Sequence, residues 1–239
     1  MTPSTAAIIV EPTQGEGGIY AATPDFMRGL RALADAHGAM LIVDEVQCGL
    51  GRTGRLWAHE AYGDAAAPDM MTVAKPLANG LPIGAVLVRG AVAAAVAPGD
   101  HGTTFGGNPL IAAAALSVLR RVAAPGFLAA TRASGARLLA GLRALQARFP
   151  RAIAEVRGCI DGGLFAGVQL HVPPKPLTAL AGDKGLILIT AGDNALRVCP
   201  PLNIPDADVD AGLRILGECL QELGAALHAP AHGADKRAH

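Results

Sequence analysis

Asp44 closes the apolar run Met40–Val43 and is followed at once by Glu45 and a glycine-rich loop carrying Arg52 and Arg55. An unpaired carboxylate at the mouth of a buried strand is costly, so this one asks for a positive partner. Lys75 ends a second apolar run, "MMTVA", in the same way. Glu11 to Glu16 follow a third run, "AAIIV", and "HGTTFGGNP" (His101 to Pro109) is a loop of glycines and threonines. In open α/β sheets, ligands sit beyond the carboxyl ends of the strands. A lysine and a carboxylate at neighbouring strand ends, with a Gly/Thr loop, define a specific chemistry. The lysine forms a Schiff base with an aldehyde, the acid keeps a pyridinium nitrogen protonated, and the loop receives a phosphate. Those are the requirements of pyridoxal phosphate. An ionised carboxylate in a poorly solvated site favours the ring cation, and a lysine beside other cationic groups is freed as a neutral amine.

The elements that must position these groups follow from pattern. "AAIIVEP" is a strand stopped by Pro12, and "TQGEGG" is loop. In "PDFMRGLRALADAHG" the apolar residues Phe26, Leu30 and Leu33 recur at helical spacing and Gly38 ends the helix. "AMLIVDEV", "PDMMTVAKPL" and "IGAVLVRG" read as further strands. Strands apolar throughout indicate an α/β protein with a mostly parallel sheet covered on both faces. From "GGNPLIAAAALSVLRRV" to Phe149, long Ala/Leu/Arg helical segments are broken at Pro125-Gly126. "AIAEVRG", "GLFAGVQL", "GLILIT" and "ALRVCPPLNI" then read as short strands, and "DADVDAGLRILGECLQELGAAL" as a closing helix. The expected division is a large-domain part over residues 1–118, a smaller α+β domain over 119–228 and a disordered tail over 229–239.

Composition narrows the class. The 239 residues are 51% hydrophobic, 17% charged and only 3% aromatic, and twenty basic residues balance twenty acidic ones. Nothing here argues for nucleic acid or an anionic membrane, and charges, Gly or Pro interrupt every apolar run. Cys48, Cys159, Cys199 and Cys219 form no CxxC pair, so they read as reduced thiols of a soluble intracellular protein with no metal site.

"EPTQGEGG", "IVDEVQCGLGRTG", "TVAKPLANGLPIGAVL", "HGTTFGGNPL" and "GDNALRVCPPLNI" stand in the order and spacing of the class-III, ornithine-type aminotransferases. The chain resembles that family, and most closely its acetylornithine branch, from about Ala6 to the closing helix. The resemblance implies a fold-type I pyridoxal-phosphate transferase working as a homodimer with its site at the interface. It implies that Lys75 is the Schiff-base lysine and proton shuttle, and that Asp44 pairs with the pyridinium. Gln47 lies toward the ring's phenolic oxygen and Val46 packs on one ring face. Glu45 belongs to the same cofactor-binding stretch, with a structural pairing to an arginine equally open. Thr104 binds the phosphate of the partner's cofactor and Thr103 lies beside substrate. Arg197 takes the α-carboxylate of glutamate or 2-oxoglutarate, where a guanidinium suits a planar acid. Glu16 pairs with Arg197 when the diamine substrate is bound.

The implied reaction is transamination of N-acetylornithine with 2-oxoglutarate. An ornithine, 4-aminobutyrate or succinylornithine aminotransferase is an alternative, as is a non-catalytic chain that associates with a full-length homologue. Family members begin well upstream, with strands, a phosphate loop, a stacking aromatic and a second arginine, so the chain corresponds to a C-terminal part. Cys48 replaces the usual Thr, and "VRGCIDGGLFAG" carries extra residues. Cytoplasm and mitochondrial matrix are both expected compartments.

Overall fold

The computed structural model describes residues 1–228; the tail 229–239, read above as disordered, lies outside the described residues. In the first sheet β1 (Ala7–Val10), β2 (Met40–Asp44), β3 (Met70–Val73) and β4 (Ala85–Val88) lie in chain order. β1, β2 and β3 are parallel, with Val10 opposite Val43 and Asp44 opposite Thr72. β4 runs antiparallel to β3, which leaves the sheet mostly parallel as expected. A parallel return needs a crossover of a dozen or more residues, and the short 74–84 segment is spent in turns.

Between β1 and β2 lies α1 (Pro24–His37), whose ends follow from local chemistry. Thr23 caps the Phe26 amide at 3.2 Å, Pro24 occupies the first turn, and Gly38 closes it at φ 65°. Met27 and Leu30 of α1 cover Val10, Val43, Met71 and Val73, joined by Tyr62 and Ala66 from two 3-10 turns. Strand side chains alternate between faces, so Ile9, Ile42 and Val86 point the other way. Ile9 is 64% exposed and Val86 58%. Among the described residues the sheet is therefore covered on one face, not on both as expected.

After the short helix α2 (Gly90–Ala95), α3 (Pro109–Val122) and α4 (Phe127–Arg148) are separated at Gly126, which turns the chain at φ 87°. The second sheet contains β5 (Ile153–Gly158), β6 (Ala166–Leu170), β7 (Ile189–Ala191) and β8 (Ala195–Val198). Its spatial order is β5-β6-β8-β7 with every pair antiparallel. Leu138, Leu142 and Leu145 of α4 pack with Leu216 and Leu220 of α6 (Asp206–His228) on Val168 and Leu196 of the sheet. Helix α5 (Pro174–Asp183) is absent from the sequence reading because its prolines look like breakers. Proline is tolerated in a first turn, where the missing N–H has no intrahelical partner. The strand expected over Gly185–Thr190 begins only at Ile189. Gly185 N and Leu186 N donate back to Gly182 O (2.9 Å) and Ala181 O (2.8 Å), so they close α5 and are lost to the ladder.

A small cluster of Ile19, Cys48, Ala58, Cys159 and Phe165 joins the two sheets. Arg52 reinforces the joint, donating to Leu164 O (2.9 Å) and Pro200 O (2.6 Å), and Arg55 donates to Asp161 at 2.5 Å. The "CIDGG" turn closes through Gly162 N to Cys159 O at 3.2 Å. A Cβ at Gly163 would lie 2.2 Å from Arg52 O, so only glycine fits. Cys48, Cys159 and Cys219 are buried and Cys199 is exposed. Burial pushes the Cys159 thiol up to about 12 and the Cys48 thiol well above its ordinary range. A thiol reagent at mildly alkaline pH should therefore modify one cysteine quickly in the native protein and the other three only on unfolding. Fast modification of Cys48 or Cys159, mapped by mass spectrometry, would show that the joint opens.

Candidate active site

Parallel pairing brings the carboxyl ends of β1, β2 and β3 to one edge, which places Glu11, Asp44 and the Ala74-Lys75 turn side by side. Asp44 is half-buried and its Oδ1 accepts from Val46 N (2.9 Å) and Thr72 Oγ1 (3.0 Å). Oδ2 takes no hydrogen bond from the described residues, so one carboxylate oxygen is oriented and left open to a cationic donor. Thr72 is absent from the sequence reading. Its signal was a lone hydroxyl in the apolar strand "MMTV", directly opposite Asp44.

The Glu45 carboxylate points away from this edge. It is fully buried and accepts from Ala58 N (2.6 Å) and His59 N (2.9 Å), with His59 Nδ1 2.6 Å from Oε1. It caps a 3-10 turn, and its side-chain partner is a histidine where an arginine was expected. Its oxygens accept from groups within the chain, so Glu45 fastens the loop after β2 to this turn.

Gln47, Glu16 and Arg197 form a closed triangle. Arg197 Nη1 donates to Gln47 Oε1 at 2.8 Å and to Glu16 Oε1, and Gln47 Nε2 donates to the same Glu16 oxygen at 3.1 Å. The Arg197 hydrogen bond, then that of Gln47, holds the Glu16 carboxyl below its ordinary value, with a smaller Coulombic contribution from Lys75. The pair is therefore intact above the ordinary glutamate range and is lost as pH falls through the depressed value. The Glu16 side chain is 73% exposed and that of Arg197 only 12%, so the acid is the movable member. Gly15 makes room for the triangle, since a Cβ there would lie 2.2 Å from the Gln47 amide.

Lys75 is exposed and has no hydrogen-bond partner among the described residues. Thr103 and Thr104 are not brought to the cluster. Both lie on an exposed loop, where Thr103 Oγ1 accepts from Gly106 N at 3.2 Å. Val46 is half-buried next to Asp44, its amide committed to Asp44 Oδ1.

The fold matches the fold-type I pyridoxal-phosphate aminotransferases among solved structures. N-acetylornithine aminotransferase from Stenotrophomonas maltophilia superposes with a TM-score of 0.82 at 37% identity, covering 94% of this chain and 58% of that one. Ornithine aminotransferase from Toxoplasma gondii gives 0.85 at 31% identity, covering 94% and 53%. The sequence model "Aminotransferase class-III" matches residues 1–220, and the chain belongs to that family of pyridoxal-phosphate-dependent aminotransferases. It is 48% identical over 213 residues to the probable mitochondrial acetylornithine aminotransferase of Dictyostelium discoideum, covering 89% of this chain and 47% of that protein. The mitochondrial acetylornithine aminotransferase of Yarrowia lipolytica is 46% identical over 222 residues, covering 93% and 52%. The chain thus spans about half the length of the curated relatives it matches.

Proposed function

We propose that the chain carries the lysine-bearing half of an acetylornithine-type aminotransferase site, for transfer of the terminal amine of N-acetylornithine to 2-oxoglutarate. The observation that carries this reading is the Glu16–Gln47–Arg197 triangle beside Asp44 and Lys75. The residues fit pyridoxal phosphate: Asp44 offers an oriented open oxygen, and Lys75 an unengaged amine. When bound, that cofactor supplies a carbonyl for the amine and an electron sink. Asp44 would keep the ring nitrogen protonated, and Thr72 Oγ1 and Val46 N keep its carboxylate from rotating. Lys75 would hold the cofactor through its Nζ and, when free, would serve as the base that moves the substrate's proton. Arg197 orients the carboxylate of the keto acid or glutamate. With Glu16 turned onto Arg197, the same pocket is electrostatically closed to a second carboxylate and accepts the N-acetylornithine side chain.

Exposure of the 101–109 loop supports Thr104 and Thr103 as groups donated to a second subunit's phosphate and substrate, in a homodimer. Ornithine, 4-aminobutyrate and succinylornithine remain alternative donors, and the ornithine aminotransferases among the structural relatives favour the first of these. The uncovered sheet face at Ile9 and Val86 favours a second reading, in which the chain associates with a full-length homologue. No single helix among the described residues is long and apolar enough to cross a membrane. Several relatives are named as mitochondrial, and we place the protein in the mitochondrial matrix or the cytoplasm.

Arg197 gives the direct test. Glutarate titrated calorimetrically should bind the wild-type chain, and Arg197→Met should weaken it about tenfold to a hundredfold, the worth of a charge-assisted contact. Equal affinity in the two proteins would remove Arg197 from the site.

A further inference from the structure

Arg157 plays no part in the function proposed above, yet it is only 8% exposed. The register of the second sheet puts Arg157 on β5 opposite Gly167 on β6, and Gly167 opposite Arg197 on β8. The three residues form one row on one face, with the arginine Cα atoms roughly 10 Å apart across two strand spacings. The segment from Gly15 to Tyr20, which bears Glu16, lies over the glycine between them. A Cβ at Gly167 would sit 2.7 Å from Gly18 O, and one at Gly192 2.6 Å from Gly17 O. The loop therefore meets the sheet backbone to backbone.

Both arginines hold that loop. Arg197 grips the Glu16 side chain. Arg157 Nε donates to Gly18 O at 2.8 Å, and its guanidinium stacks over the Tyr20 ring, 4.0 Å from the centroid. The rest of the fork is taken by Glu155 (2.7 Å) and by Gln169 (3.0 Å), which itself donates to Asp193 O at 2.5 Å. Gly192 N donates to Glu16 O at 2.8 Å, so the backbone of the movable acid is held by the β7–β8 hairpin. Ile19 sits at φ 61°, a left-handed conformation that a β-branched residue rarely adopts, and is fully buried. A loop in that conformation relaxes unless something holds it down.

We propose that Arg157 is a positioning residue that locks residues 15–20 onto the sheet, and so sets how strongly Glu16 competes with a substrate carboxylate for Arg197. The proposal rests on the reading of Arg197 as the carboxylate receiver. Lysine could not replace Arg157, because the role needs a planar fork that stacks and donates in several directions at once. Loss of the clamp lowers the effective concentration of the Glu16 carboxylate at Arg197 and leaves the guanidinium open to dicarboxylates.

The test is a double-mutant cycle on the full chain, with glutarate as the probe. Arg157→Gln, and separately Tyr20→Leu, should tighten glutarate about two- to fivefold, the range set by releasing an exposed ion pair. In a Glu16→Gln background neither should change it. Tyr20 is half-exposed, so its substitution leaves the core intact where Arg157→Gln impairs folding. Equal effects in both backgrounds, or none in either, would overturn the proposal. Amide exchange supplies a readout that needs no ligand. The Gly192 and Ile19 amides, bonded to Glu16 O and Gln14 O, should exchange faster in both clamp variants while those of β6 do not. Unchanged exchange sinks the clamp. Loss of glutarate binding by every protein, with exchange altered as expected, sinks only the role of Arg197 and leaves the clamp standing.

Discussion

Treated with pyridoxal phosphate and then borohydride, the chain is expected to carry a stable pyridoxyl group on Lys75, and Lys75→Ala to carry none at comparable occupancy. The measurement is unusually clean because the sequence holds only four lysines, Lys75, Lys175, Lys184 and Lys236. Lys184 is engaged by Glu222 at 3.1 Å, and Lys175 lies at the start of α5, distant in sequence from every group of the proposed site. Lys75 alone stands at the strand edge that also presents an open Asp44 oxygen. Asp44→Asn should keep the label on Lys75 but raise the half-saturating cofactor concentration about tenfold to a hundredfold. A hydrogen bond to a charged group contributes about 1.5–3 kcal/mol, and the amide cannot supply the charge. Labelling spread evenly over Lys75, Lys175 and Lys184 would mean that this half of the site does not gather the cofactor unaided.

Phe165→Ala should destabilise the protein by about 3–5 kcal/mol, read as a lower urea midpoint at unchanged slope. Phe165 is fully buried and fills the joint among Ile19, Cys48, Ala58 and Cys159. Ala58 and Cys48 come from the strand-edge side, Cys159 and Phe165 from the second sheet, and Ile19 from the loop that carries Glu16. Removing the ring opens a cavity where the two sheets meet, and it withdraws the packing that keeps Ile19 left-handed. Such strain is of order 1–3 kcal/mol and persists only where the surroundings over-determine it. The variant should therefore lose protection at the Ile19 amide before the amides of β6. Phe105→Ala is the control: at 80% exposure the change should stay within about 0.5 kcal/mol. A midpoint no lower for Phe165→Ala than for Phe105→Ala would mean that the joint contributes nothing to stability.

Much of the candidate site was legible before any coordinates. A run such as "MLIVD" can only be a strand ending in an acid, and "TVAK" a strand ending in a lysine. Parallel pairing of such strands then puts their carboxyl ends on one edge. Gly38 likewise marked the end of α1, because capping acts over three or four residues, while the Thr23 cap at its start was not singled out. Prolines at residues 173, 174 and 176 misled in the other direction, since breakers and first-turn residues look alike in isolation.

What the sequence determined by itself is thus the set of strand ends, the acid and lysine they carry, and the glycines and caps of the connecting turns. All of these are settled by chain neighbours. Tertiary structure alone decided that Glu45 is answered by His59, that Thr72 steadies Asp44, and that β4 turns back antiparallel. It also decided that Arg157, Gly167 and Arg197 fall in one row beneath the Glu16 loop. Register between strands is chosen by the packing of whole faces, and a slip of one residue would send each of those side chains to the opposite side. No local pattern encodes that choice, so the row appears only when the second sheet has closed.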